Sequence, residues 1–118
     1  MRALVVDDEL NIRRTLAVAL ESMGYEATTA ATGADALGEL KARRFDVMLL
    51  DHMLPGRSGI EVAKTLRASG NATPILMLTA RDAPEDRRAA FAAGANEFMG
   101  KPFLFDDLLE RFAKLIAA

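Results

Sequence analysis

The regular alternation of two kinds of segment is the feature that most constrains the fold of this chain. Short apolar or β-branched runs of strand length alternate with longer stretches in which apolar residues recur at helical spacing. The predicted strands cover residues 3–6, 25–30, 47–50, 74–78 and, with a weaker pattern, 97–99. A strand followed by a helix, repeated along one chain, predicts parallel strand pairing with helices on both faces of the sheet.

Capping and breaking residues mark the ends of the predicted helices. Gly24 ends the first helix, Thr32 caps the second, Pro84 suits the first turn of the fourth, and Gly94 ends it. Helical spacing predicts inward faces that carry Ile12, Leu16, Ala19, Leu20 and Met23 in the first helix, Ala36, Leu37 and Leu40 in the second, Ile60, Ala63 and Leu66 in the third, and Leu108, Leu109, Phe112, Leu115 and Ile116 in the last. The chain lacks a linker or a low-complexity segment, so residues 1–118 are predicted to form one domain.

Composition excludes several classes of function. The 118 residues are 51% hydrophobic and 27% charged, which is typical of an ordinary globular protein. A net charge of -2 gives no support for a nucleic-acid-binding face, and the lack of cysteine excludes disulfides, thiolate chemistry and cysteine-ligated zinc. The N-terminal apolar run is cut off by three acids, so it is neither a signal peptide nor a membrane span, and a cytoplasmic protein is expected.

Polar side chains follow four of the predicted strands. Asp7 and Asp8 end the first strand, Asp51 the third, Thr79 the fourth, and Lys101 comes just after the fifth. Each alone has an ordinary explanation as a cap, a turn residue or a solvated charge. The carboxyl ends of parallel strands meet at one edge of the sheet, where such folds bind their ligands. The joint placement therefore indicates a functional site.

Electrostatics predicts which ligand this edge would take. Two carboxylates about 4 Å apart repel each other by about 4 kcal/mol at an effective dielectric constant of about 20. Three aspartates and one lysine leave a local formal charge of -2, which one divalent cation would cancel. Oxygen ligands without histidine or cysteine suit Mg²⁺, which also binds phosphate oxygens. A carboxylate beside Mg²⁺, with an ammonium and a hydroxyl nearby, is equipped for phosphoryl transfer.

Four stretches carry a resemblance to a known family. They read VVDDE, LLDHMLPGRSG, LMLTAR and GANEFMGKPF, and each lies at the end of a predicted strand. Over essentially its full length the chain resembles the receiver domain of two-component response regulators, both the receivers of winged-helix transcriptional regulators and the single-domain, chemotaxis-type receivers. The resemblance implies a (βα)5 doubly wound, flavodoxin-like three-layer sandwich with the parallel strand order 2-1-3-4-5.

The resemblance also implies roles for the residues at the strand ends. Asp51 would be the phosphoacceptor, in a signalling domain that catalyses only its own phosphorylation and dephosphorylation and is not otherwise an enzyme. Mg²⁺ would be bound by Asp8, Asp51 and the backbone carbonyl of Met53, with Asp7 acting mainly through metal-bound water.

Three further residues acquire roles through the resemblance. Thr79 would hydrogen-bond the phosphoryl group, Lys101 would pair with its oxygens, and Phe98 would be an aromatic switch that moves from a partly exposed to a buried rotamer. The peptide bond between Lys101 and Pro102 is expected to be cis.

The expected partners follow from the same resemblance. A sensor histidine kinase or phosphotransfer protein would dock on a surface that includes Asn11, Arg14, Thr15, Val18, Phe103 and Leu104. The face built by the fourth helix, fifth strand and fifth helix would control an output domain or a separate target, without direct contact with nucleic acid or membrane. Phosphorylation-dependent dimers would be held on this face by two cross-subunit ion pairs, Arg87 with Asp107 and Glu97 with Arg111, while a third pair is lost because Ala92 replaces an acid.

The chain departs from the family pattern near the predicted switch. Asn96 and Glu97 stand where the family often has two aspartates, and Gly100 where it prefers Thr, Ala or Val. These positions flank Phe98, so they affect partner contacts more than phosphorylation. His52 follows the acceptor directly, but neighbouring strand residues point to opposite faces, so we predict a packing or surface role.

Three other functions compete with a phosphoacceptor. An aspartyl phosphatase needs an Asp-x-Asp arrangement after the first strand, which this chain lacks. An FMN-binding protein needs a Ser/Thr- or Gly-rich loop there, whereas three acids would repel phosphate. A pseudo-receiver that acts only through protein interactions would lack one of the key residues, and each of them is present here.

Overall fold

The computed structural model describes residues 1–117 as strands and helices in strict alternation. Every predicted strand and helix is present, and no predicted strand end is displaced by more than one residue. The elements are β1 (Arg2–Val6), α1 (Leu10–Ser22), β2 (Glu26–Ala30), α2 (Gly33–Ala42), β3 (Val47–Leu50), α3 (Gly59–Ala68), β4 (Ile75–Thr79), α4 (Pro84–Ala93), β5 (Glu97–Gly100) and α5 (Phe105–Ala117).

The strands form one parallel sheet in the order β2-β1-β3-β4-β5, as the resemblance implied. Its register places Val6 beside Leu50, so the residues that follow β1 and β3 emerge together at the carboxyl edge. Thr79 lies beside Gly100, which brings the end of β4 next to Lys101. The register of the sheet therefore gathers the polar strand ends into one place.

Two apolar layers enclose the sheet. On one face Met48, Met77 and Phe98 pack against α2, α3 and α4, and on the other Leu49 and Leu76 pack against α1 and α5. The runs Val47–Leu50 and Ile75–Thr79 are buried at every position, as expected for central strands covered on both faces. The result is the predicted three-layer sandwich.

Most of the local predictions about the helices are confirmed. The Thr32 hydroxyl accepts a hydrogen bond from the Asp35 amide at 3.1 Å, and Pro84 lies in the first turn of α4. Gly94 follows α4 with a φ of 113°, a conformation that favours glycine. The inward position predicted for Met23 is wrong, because this residue lies past the last turn of α1 and is 40% exposed.

Arg67 on α3 ties together two loops at the amino edge of the sheet. Its guanidinium donates five hydrogen bonds of 2.8–3.1 Å, all to neutral acceptors. These acceptors are the backbone carbonyls of Asn71, Thr73 and Gly94 and the side-chain oxygen of Asn96. Burial lowers the pKa of the Arg67 guanidinium. Asn96 stands where the family often has an acid, so it accepts a hydrogen bond from the Arg67 guanidinium but does not neutralise its charge.

Across residues 1–117, every helix is too short or too polar to span a lipid bilayer.

Candidate functional site

Three aspartates converge at the carboxyl edge of the sheet. Asp7 follows β1 and Asp51 follows β3, and both are buried, whereas Asp8 is exposed. One carboxylate oxygen from each lies within 4.8 Å of the others. They line an open cleft of about 660 Å³, to which Met53 and Lys101 also contribute. The three acids that were predicted from the strand ends therefore do meet, at a surface that a ligand can reach.

Lys101 bridges two of these acids. Its Nζ donates to Asp7 Oδ2 at 2.7 Å and to Asp51 Oδ2 at 3.1 Å. Burial alone would lower the pKa of the Lys101 ammonium, but the two carboxylates outweigh burial and raise it. The ammonium thus compensates part of the negative charge that the sequence predicted for this edge.

Asp51 is held on both of its carboxylate oxygens. Oδ2 accepts from Lys101, and Oδ1 accepts from the Met53 amide at 3.1 Å. Burial is the main reason why the pKa of the Asp51 carboxyl is raised, and the nearby Asp7 adds to it. The Met53 amide and Lys101 act in the opposite direction without cancelling the effect of burial. Desolvation, more than mutual repulsion, is therefore what strains this carboxylate.

Two residues that the sequence did not single out shape the site. Arg13 on α1 donates to the backbone carbonyl of Asp7 at 2.9 Å, which fixes the turn that carries the acids. Gly59 opens α3 so close to the backbone of Asp51 that a Cβ at this position would clash with the Asp51 carbonyl. Gly59 belongs to the LLDHMLPGRSG stretch, and a glycine at the start of a predicted helix could have indicated a close backbone contact. No feature of the sequence indicated the contact of Arg13 with Asp7.

The two residues predicted to act as the switch lie on β4 and β5, the strand pair that ends beside Lys101. Thr79 is fully buried, and its Oγ1 accepts from the Arg81 amide at 3.1 Å. Phe98 is only 1% exposed, and the Arg87 guanidinium lies 5.3 Å above the centre of its ring. The ring is thus already buried in this structure, whereas the resemblance implied that it becomes buried only after phosphorylation. Phenylalanine has no hydroxyl that would have to stay in water, which makes burial favourable. The role of Phe98 as a switch stays a prediction.

The residues predicted to bind partners fall on two surfaces. The Glu97–Arg111 pair, expected between subunits, forms within one chain at 3.3 Å, and Arg111 also donates to the Phe98 carbonyl at 3.0 Å. Arg87 and Asp107 line the same cleft, of about 370 Å³, on the α4-β5-α5 face. The predicted kinase surface, by contrast, includes a smaller cleft of about 250 Å³ lined by Asn11, Ile12, Thr15, Leu16, Phe103 and Phe105.

The remaining expectations have simple outcomes. The Lys101–Pro102 peptide bond is cis. His52 is half-buried just after β3, and its Nδ1 has no hydrogen-bond partner among the described residues. Met53, beside the cleft, is 54% exposed.

The model of the response regulator receiver domain family matches residues 3–113. The chain belongs to this family. The family assignment agrees with the observed strand order and with the position of the acids.

Known receivers resemble this one in sequence and in structure. The response regulator MprA of Mycobacterium avium is 41% identical over 98% of this chain, and MprA of Mycobacterium tuberculosis is 40% identical over the same share. The receiver spans about half the length of these relatives, 51% and 50%. The chemotaxis response regulator CheY4 of Vibrio cholerae has a TM-score of 0.91 at 37% identity, with 97% of each chain covered.

A further solved structure bears on the metal. The response regulator TrrA of Thermotoga maritima, determined in complex with Mg²⁺ and beryllofluoride, has a TM-score of 0.87 and 40% identity, with 97% of each chain covered. Receiver domains bind Mg²⁺ at their acidic site, and the cluster of Asp7, Asp8 and Asp51 is present in this chain.

Proposed function

We propose that this receiver accepts a phosphoryl group on Asp51 from a phosphohistidine of a sensor histidine kinase or phosphotransfer protein, in a reaction that depends on Mg²⁺. The observation that carries the proposal is the position of Asp51. Its carboxylate is buried, lies beside Asp7 and Asp8, is bonded to Lys101, and lines an open cleft. A nucleophile, a charge-compensating set and access for a donor are thus combined at one point.

The residues at this edge fit Mg²⁺. Hard oxygen donors are what this cation prefers, and the described side chains supply three carboxylates close together. Asp8, Asp51 and the Met53 carbonyl would bind the ion, with Asp7 acting through water. When bound, Mg²⁺ supplies charge neutralisation for the phosphoryl oxygens.

The remaining steps belong to side chains of this chain. Asp51 attacks as a carboxylate, so it must be deprotonated, and Lys101 favours that form by its charge. As the bond from phosphorus to the histidine nitrogen of the donor breaks and the bond from phosphorus to an Asp51 oxygen forms, Lys101 turns from Asp51 Oδ2 to the oxygens on phosphorus. The Thr79 hydroxyl can accept from the Arg81 amide and still donate its proton to a phosphoryl oxygen.

The change at Asp51 would be transmitted through the α4-β5-α5 face. Phe98 packs in the apolar layer that includes α4, and Thr79 faces the same side of the sheet because it is two residues from Met77. A shift of the Thr79 hydroxyl would therefore affect how the Phe98 ring packs under the Arg87 guanidinium. We propose that this face controls an output domain or a separate cytoplasmic target. The receiver spans about half the length of the MprA chains.

The rival function is a pseudo-receiver that acts only by binding. It is disfavoured because the key residues are all present: the three aspartates are clustered, Lys101 bonds to two of them, and Thr79 pairs with Gly100 beside Lys101. Intact-mass spectrometry after incubation with acetyl phosphate and Mg²⁺ separates the two. Addition of one phosphoryl group is expected for the natural sequence and for an Asp35→Asn control, and none for Asp51→Asn or after chelation of Mg²⁺. A natural-sequence protein that stays unlabelled would support the pseudo-receiver.

A further inference from the structure

Gly100, the last residue of β5, is a glycine for reasons of space. Its φ is not among the positive values found at Gly24, Gly56, Gly70 and Gly94. The backbone at residue 100 would therefore accept any side chain without conformational strain. What excludes a side chain must be the neighbouring atoms.

The space beside Gly100 is filled by Asp82 from the loop between β4 and α4. A Cβ at Gly100 would lie 2.6 Å from Asp82 Oδ2, 3.0 Å from its Cβ and 3.2 Å from its Cγ. A side chain at this position would therefore require the Asp82 carboxylate to rotate away and the Asp82 Cβ to shift by a few tenths of an ångström. By contrast, a Cβ at Gly38 would meet no atom within 4 Å. Asp82, although exposed to solvent, thus lies with one side of its side chain against the end of β5, and we call this contact the Asp82 seat.

The seat adjoins the residue that is to hold the phosphoryl group. Gly100 pairs with Thr79 in the sheet register, and the Lys101 amide donates to the Thr79 carbonyl at 2.8 Å. The loop of residues 80–83 holds the Thr79 hydroxyl through the Arg81 amide, and the Arg81 guanidinium pairs with Asp86 on α4 at 3.0 Å. The seat adds a contact from the same loop to β5. It thus fixes the loop across the strand pair that carries Thr79 and Lys101.

We propose that Asp82 is a positioning residue whose seat on Gly100 holds the loop of residues 80–83 in place against Thr79 and thereby sets the lifetime of the phosphoryl group on Asp51. In the reaction that ends this lifetime, water attacks phosphorus, the bond from phosphorus to the Asp51 oxygen breaks, and phosphate, a proton and the free carboxylate are released. A loop fixed in this way keeps the Thr79 hydroxyl aimed at the phosphoryl oxygens, and that hydrogen bond stabilises the acyl phosphate against attack by water.

A double-mutant cycle tests the seat. Gly100→Ala displaces Asp82, and Asp82→Ala removes it, so each variant is expected to shorten the acyl-phosphate lifetime about threefold or more. The double variant should be no worse than either single one, because the contact can be lost only once. In the unphosphorylated protein, hydrogen exchange at the Arg81 amide should accelerate in all three variants. Gly38→Ala, which fills open space on α2, should change neither quantity.

Several results would overturn the proposal. If the two substitutions shortened the acyl-phosphate lifetime additively, the effect of Gly100→Ala would arise in β5 itself and not in its contact with Asp82. If the lifetimes stayed normal while hydrogen exchange at the Arg81 amide accelerated, the loop would not control hydrolysis. If Gly100→Ala failed to fold, Asp82→Ala would still test the seat, since it adds no atoms. The measurement of the acyl-phosphate lifetime rests on the proposed function, whereas hydrogen exchange at the Arg81 amide can be measured whether or not the protein accepts a phosphoryl group. A protein that never accepts phosphate would thus refute that function while the exchange still reported on the seat.

Discussion

Asp51 has a carboxylate that the fold buries, although the proposed attack on phosphorus requires it to be ionised. Since burial raises its pKa, the folded protein binds a proton at Asp51 more readily than the unfolded chain does. Stability contributed by this group is therefore lost as pH rises from the unfolded pKa, about 3.9, through the folded one, and remains lost at neutral pH. Catalytic readiness and stability are opposed at this residue.

Asp51→Asn is accordingly expected to raise the thermal unfolding midpoint at pH 7 in the presence of a chelator. Lys101 keeps its bond to Asp7 at 2.7 Å, so the substitution does not leave the ammonium unpaired. The gain should shrink as pH falls and should vanish below about 3.9, where Asp51 becomes protonated in both the folded and the unfolded state. Thermal melts across this range, with Asp35→Asn as the matched control, measure it. A gain independent of pH would contradict the role given to burial.

Asn96 offers a test at the opposite edge of the sheet. Its side-chain oxygen accepts from Arg67 and from the Ile75 amide, both at 2.9 Å, while the Arg67 cation has only neutral acceptors. Asn96→Asp should raise the free energy of unfolding by about 1 kcal/mol, because a charged acceptor strengthens the bonds already present. Asn96→Ala should lower it by about 1–3 kcal/mol, since two donors lose their acceptor.

Urea denaturation at low and high salt checks both changes. The gain from Asn96→Asp should diminish at high salt, whereas the loss from Asn96→Ala should not. An aspartate that fails to stabilise the protein at low salt would mean that the Arg67 charge is already compensated by solvent.

At the scale of elements, the sequence predicts the central strands well because they are buried at every position, and it predicts the helices well because their buried residues recur at helical spacing. Val47–Leu50 and Ile75–Thr79 are buried on both faces, so their apolar runs are continuous and unambiguous. Strand ends were displaced by one residue, as at β4, where a hydroxyl rather than an apolar residue closes the strand. Periodicity cannot resolve such ends.

The composition of the site followed from where each strand ends, but its internal contacts did not. The bridge from Lys101 to Asp7 and Asp51 depends on how a long side chain crosses between strands. The contact of Arg13 with the Asp7 carbonyl depends on how α1 packs against the sheet. Such contacts need three-dimensional distances, which the order of residues along the chain does not contain.

The surface formed by α1 and the loop after β5 is predicted to determine which kinase or phosphotransfer protein donates the phosphoryl group. Val18 and Leu104 are 65% and 70% exposed, and neither of them lines the cleft of the three acids. Exchanging several of its residues together should change the preference among kinases and leave labelling by acetyl phosphate unaltered. The residues to exchange are Asn11, Arg14, Thr15, Val18 and Leu104. Equal loss with both donors would instead mean that these residues support the fold.

At the scale of the whole molecule, the α4-β5-α5 face is where activation would change assembly. A two-fold dimer repeats each contact, but exposed ion pairs contribute only about 0–1 kcal/mol each. Arg111 is already paired with Glu97 in its own chain, so a cross-subunit pair must compete with that bond. Weak dimerisation that depends on activation is therefore expected.

Sedimentation with and without beryllofluoride tests this expectation, with Arg111→Glu as the control that should remain monomeric. A natural-sequence protein that stays monomeric at high concentration when activated would indicate a stand-alone receiver that acts on a separate target.

The central claim is that Asp51 carries the phosphoryl group, and locating the acyl phosphate tests it most directly. Borohydride reduces an aspartyl phosphate to homoserine, which peptide mass spectrometry can assign to one position. After incubation with acetyl phosphate and Mg²⁺, homoserine is predicted at position 51 alone, and only when Mg²⁺ is present. Homoserine at Asp7 or Asp8, or at no position, would contradict the account.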